Sequence, residues 1–273
     1  MTKTGEYRNK PTDDFHLEDT YARVSPGGKH RGKCIIFAMD DFDDSMKQLY
    51  SLQPNAATTK DASDIRDNMD KLGYEVTEIF NPTAATVKTH LKSIAIDDAL
   101  AAGSDSFICF ILTRYAHGLG RGEEASLLFY DSCVPRRKLF APFGTSSADW
   151  NGIPKIFFLQ ATRTVVDAKA ATGRLEWSLP TLMEPDILAV YSFSSKLVSG
   201  EDARLGTFFV QKLVSLFRNN MVDRSLDVRS LMSLLNSHLH ALVLEAATDT
   251  EAGLQGIIVS STLRKDFFLS PPR

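Results

Sequence analysis

The chain has 273 residues, 43% of them hydrophobic, with 31 lysines and arginines against 34 aspartates and glutamates, a net charge of -3 and a pI near 6.1. That length and apolar share can fill the core of one large α/β domain. The charge balance leaves no electrostatic footprint for nucleic acid or an anionic membrane, and no apolar run nears the roughly 20 residues a bilayer requires, so a soluble, cytoplasmic protein is expected.

Residues 1 to 30 are polar, contain Pro11 and Pro26, and read as an N-terminal tail without a signal peptide. From Cys34 onward, short apolar runs alternate with amphipathic segments. The runs are Cys34 to Met39, Tyr74 to Phe80, Phe107 to Leu112, Ile156 to Leu159, Ile187 to Tyr191 and Ile257 to Val259. Continuous runs of this length predict six strands covered on both faces. Between them, Ile65, Met69 and Leu72 recur at helical spacing, with Asp61 as a candidate cap, and Val87, Leu91 and Ile94 repeat the pattern. Phe209, Leu213, Leu216 and Phe217 form another helical face, and Val228, Leu231, Leu235 and Leu239 a further one. This grammar predicts a three-layer α/β fold: a central six-stranded, mostly parallel sheet flanked by about five helices. The polar stretch 165–183, with Gly173 and Pro180, interrupts the pattern as a linker between regions 31–164 and 184–273.

Three cysteines without a CxxC pair support neither a disulfide framework nor a zinc site, and no cofactor is expected. Cys34 and Cys109 lie in strand-like runs and read as core residues. His238 and His240, two apart on a helix, point to different faces and cannot form a helical metal pair.

Several segments resemble the caspase family in order along the chain. Gly32 to Ile36 is similar to the family's first strand, Asp61 to Val76 to its first long helix and second strand, and Pro154 to Ala161 to the strand leading to its nucleophile. Pro185 to Ser192 resembles the start of the small subunit, Gly206 to Gln211 the helix after the substrate groove, and Thr262 to Phe268 the closing segment. The resemblance implies a caspase-like fold with a large-subunit-like region (31–164) and a small-subunit-like region (184–273) in one compact domain.

It also directs attention to Gln160-Ala161-Thr162-Arg163-Thr164, where the family's signature carries a cysteine in place of Thr162. An internal threonine hydroxyl lacks the nucleophilicity of a thiolate and needs a separate base. The family's histidine position falls on Arg114 by one register and on Arg121 by a second, while a third retains a displaced His117. Of the substrate pocket, Gln160 remains. The family's arginine before the first helix falls on Asn55, and its Ser-Trp-Arg strip on Ser199, Gly200 and Glu201, which would place a carboxylate against an acidic substrate. On these residues the chain is expected to be a pseudoenzyme of the caspase type.

As implied by the resemblance, Gly256, Ile257, Ile258, Val259 and Ser260 form the strand through which caspases pair. The expected function is regulation of an active caspase by heterodimerisation through that edge, with self-pairing as the other partner choice. The rival reading is an active peptidase with a relocated Cys133 and His117 pair. Asp167, followed by Ala168 in the linker, is a possible cleavage site.

Overall fold

The fold follows from one sheet whose two faces are both apolar. A computed structural model describes residues 20–23, 30–116, 126–144, 148–164, 182, 184–194, 206–223, 226–246 and 256–269. Its strands are β1 (Lys33–Ala38), β2 (Glu75–Phe80), β3 (Phe107–Ala116), β4 (Ser126–Leu128), β5 (Cys133–Pro135), β6 (Lys155–Arg163), β7 (Ile187–Ser194) and β8 (Gly256–Ser261). The main path runs β2-β1-β3-β6-β7-β8; only β8 is antiparallel to its neighbour on that path. The expected six-stranded, mostly parallel sheet is therefore present. The short antiparallel pair β4 and β5, which extends from the end of β3, was not foreseen, because three-residue strands carry no periodicity.

Seven helices are described rather than about five: α1 (Asp44–Tyr50), α2 (Ala56–Lys71), α3 (Ala84–Ala95), α4 (Asp98–Ala102), α5 (Arg137–Phe140), α6 (Phe208–Asp223) and α7 (Val228–Ala246). The four long ones are those with predicted apolar faces. The additional α1, α4 and α5 have seven residues or fewer, too short for a helical repeat to register.

Alternation along the central strands divides the core. Phe107, Cys109 and Ile111 of β3 join Phe157 and Leu159 of β6 on the face covered by α3, with Val87 and Leu91 at its centre. Ile108, Phe110 and Leu112 join Ile156, Phe158, Leu188 and Val190 on the opposite face, covered by α2, α6 and α7 through Ile65, Leu213 and Leu235. Cys34 and Cys109 are both fully buried, as their runs predicted.

The expected cap at Asp61 is corrected. Helix α2 starts at Ala56, so Asp61 lies inside it and faces inward. In the stretch read as a tail, Tyr21 is buried and its hydroxyl donates to Asp186 over 2.7 Å. That hydroxyl is pushed up to about 12, by burial first and then by the carboxylate beside it.

Candidate active site at the carboxyl end of the sheet

Strands β3, β6 and β7 change character at their carboxyl ends. The face that carries Phe110 and Leu112 on β3 continues to Arg114; that of Ile156 and Phe158 continues to Gln160 and Thr162; that of Leu188 and Val190 continues to Ser192. Parallel register aligns Leu112, Gln160 and Ser192 in one row, then Arg114, Thr162 and Ser194 in the next. Polar residues thus collect at the end of the sheet where open α/β sheets place their ligands.

Thr162 is buried between the two neighbouring strands, and Gln160 is half-buried. Arg114 is half-buried, and loss of hydration holds its guanidinium below the usual arginine range. Its Nη2 donates to the Gln53 carbonyl over 3.1 Å, while its Nε has no hydrogen-bond partner among the described residues. The Ser192 hydroxyl is also without a partner among the described residues, although only 1% of the residue's surface is exposed. Sequence reasoning did not single out Ser192 as a site residue. The signal was available in principle: its position two residues after Val190 places it on the face of Gln160.

Asn55 stands immediately before α2, with its N–H donating to the Asp40 carbonyl over 2.9 Å, and its side chain does not cap the helix. Two residues before it, Gln53 supplies the carbonyl that accepts from Arg114. Of the three histidine registers, the one through Arg114 gives a residue paired with Thr162; Arg121 and His117 lie outside the described residues. Ser199, Gly200, Glu201 and Asp167 lie outside them as well. Cys133 sits on β5 rather than in a loop, and it is exposed.

Where the described chain resumes after residue 205, a buried polar cluster fixes the start of α6. Asp61 accepts from the Thr207 backbone N–H over 2.9 Å and from its hydroxyl over 2.7 Å, and Gln211 Nε2 bridges to Asp64 over 2.8 Å. Burial pushes the Asp61 carboxyl up to about 6 against these hydrogen bonds. Among the described residues, no group of histidines, cysteines and carboxylates could hold a metal ion, and no helix is long and apolar enough to cross a membrane.

Residues 31–268 match the caspase domain model, and the chain belongs to that family. It is 27% identical to Caspase-3 of Xenopus laevis over 243 residues, covering 87% of this chain and 79% of that protein. It is 26% identical to Caspase-7 of Gallus gallus over 239 residues, covering 82% and 70%. The structure of Caspase-1 from Spodoptera frugiperda superposes with a TM-score of 0.70 at 20% identity, over 97% of this chain and 98% of that one, which shows the shared fold.

These relatives correct the expectation of a pseudoenzyme. The matched proteins carry the names of caspases, a family of cysteine proteases, and no finding sets this chain apart from them as a non-enzyme. The expectation rested on Thr162 at the family's cysteine position together with the threaded histidine registers and substrate groove; Thr162, Arg114, Gln160 and Asn55 are described, whereas Arg121, His117, Ser199, Gly200 and Glu201 fall outside the described residues.

Proposed function

We propose that this caspase-family chain regulates an active caspase by pairing with it through β8, and so modulates apoptosis. Regions 31–164 and 184–273 serve as its large- and small-subunit-like parts, joined by 165–183. The observation that carries the reading is the contrast between the two edges of the sheet. At one edge, β2 carries Glu75 and Glu78, which pair with Lys33 over 3.8 Å and Arg66 over 3.0 Å. Charged side chains of this kind guard an edge against another strand. At the other edge, β8 reads Gly-Ile-Ile-Val-Ser-Ser, with no charge, and exposes 40% of Val259. An unguarded apolar edge is suited to a partner strand, and a caspase chain is the partner that family membership favours.

The test uses Caspase-1 of Spodoptera frugiperda as the probe. Sedimentation reads the complex, and hydrolysis of an aspartyl peptide by the probe reads the regulation. The expected result is a complex and a changed rate, both lost in Val259→Glu, a substitution on an exposed side chain. Equal behaviour of wild type and variant, or no complex at all, overturns the reading. Self-association without binding the probe replaces it with a self-pairing scaffold.

A further inference from the structure

The β8 edge is not uniformly open. The Thr262 N–H donates to the Ile187 carbonyl over 2.8 Å, toward β7. Alternation then directs the N–H groups of Ile258 and Ser260 toward β7 and those of Ile257, Val259 and Ser261 outward. The outward N–H of Ile257 is already engaged: it donates to Asn236 Oδ1 over 3.2 Å. Asn236 is an exposed residue of α7, a helix anchored to the sheet by the buried Leu235 and Leu239 on either side of it in sequence. The same oxygen lies 3.8 Å from where a Cβ on Gly256 would stand, so it covers the start of the strand.

Building on the edge-pairing reading, we infer that Asn236 is a specificity-determining residue of this interface, a side-chain cap that withholds the Ile257 donor and confines the caspase partner's strand to Val259 and Ser261. A partner strand that extends to Ile257 must break the Asn236 bond before it can form its own. The exchange returns one hydrogen bond for one, so that register gains nothing there. Removing the cap reverses this. Asn236→Ala leaves the Ile257 N–H to water in the free chain and available to a partner strand in the complex.

Two measurements test the cap, with Caspase-1 of Spodoptera frugiperda again as the probe. In the free chain, amide exchange at Ile257 is expected to speed up severalfold in Asn236→Ala and to stay at the wild-type rate in Asn236→Asp, which keeps the acceptor. The complex with the probe is expected to tighten about fivefold in Asn236→Ala, the equivalent of one net hydrogen bond. Unchanged exchange at Ile257 overturns the cap. Faster exchange with unchanged or weaker binding, while Val259→Glu still abolishes the complex, overturns the control of register and leaves edge pairing standing. Insensitivity to Val259→Glu overturns edge pairing and this inference together.

Discussion

Asp61 of α2 accepts two hydrogen bonds from Thr207, one from its backbone N–H and one from its hydroxyl, across 146 positions of sequence. This contact joins the helix at the start of the candidate site to the point where α6 begins. It lies wholly inside the protein: Asp61 is fully buried and Thr207 nearly so.

The pH dependence of stability should carry the mark of Asp61. Its carboxyl is raised to about 6 in the fold and titrates near 3.9 when unfolded. Between those values the folded state binds more protons than the unfolded, so this group's contribution is full below about pH 4 and is lost as pH rises through about 6. The span is about 3 kcal/mol. The neighbouring Asp64 carboxyl is lowered despite its burial, by Lys60 and Gln211, and acts in the opposite sense as pH falls. Urea denaturation from pH 4 to 7 on wild type and Asp61→Asn separates the two. The difference curve should slope across pH 4 to 6, and a flat one would show that Asp61 is ionised in both states.

Gly206, beside this contact, tolerates no side chain. Its φ is +75°, and a Cβ would stand 2.3 Å from Asp61 Oδ1 and 2.6 Å from Gln211 Nε2. Left-handed strain and displacement of the carboxylate both oppose Gly206→Ala, which should destabilise the fold by about 2 kcal/mol. Thermal unfolding measures it. A variant that melts with the wild type would mean that the Asp61 cluster yields freely.

Legibility in the sequence tracked periodicity. The six strands of the main path and the four long helices announced themselves because a buried strand or a helical face repeats over several turns or pairs, as in Ile156 to Leu159 or Val228 to Leu239. Helix α1, strand β4 and strand β5 are too short to repeat. The row of Gln160 and the row of Thr162 were placed by their strand, but the partners that give them a chemical setting were not. Arg114 reaches Gln53, and Ser192 lies beside Gln160, through register between strands that sequence spacing does not encode. Asp61 was misplaced for a related reason. An aspartate near a helix start suits a cap, and only its distant partner Thr207 reveals the buried role.

Asp186 should be an acid-sensitive support of the fold. It accepts from Tyr21, from Arg264 Nε over 2.9 Å and Nη2 over 2.6 Å, and from the Gly152 N–H over 2.7 Å. Burial opposes its charge, yet Arg264, Tyr21 and Gly152 hold the carboxyl below the usual range. Its contribution is therefore present above about pH 4 and lost as pH falls through the lowered folded value. Asp186→Asn, which still tolerates the residue's φ of 59°, should cost about 2 kcal/mol at pH 7 and less at pH 3. Equal loss at both pH values would assign the role to shape rather than charge.

The thiols should separate cleanly under native labelling. Burial raises Cys34 well above the ordinary thiol value and raises Cys109 as well, whereas Cys133 is exposed on β5. A disulfide reagent should count one thiol in the folded protein and all three in urea. Loss of the single native signal in Cys133→Ser identifies it, and a second native thiol would contradict the burial of the strand cysteines.

Arg114 should matter little to stability, for reasons its surroundings make explicit. The cation is partly desolvated, its single described hydrogen bond reaches the Gln53 carbonyl, and its Nε is unpartnered among the described residues. Removing one such bond costs about 1 kcal/mol, while releasing a poorly compensated charge from a half-buried position returns a similar amount. Arg114→Met, which retains most of the apolar stem, should therefore unfold within about 1 kcal/mol of the wild type. The comparison is made by urea denaturation at pH 7. A loss above about 3 kcal/mol would mean that the guanidinium holds the segment before α2 to the end of β3, because that is the cost of breaking a well-compensated buried pair. A near-neutral result would show that the fold can spare the Arg114 guanidinium at the sheet end.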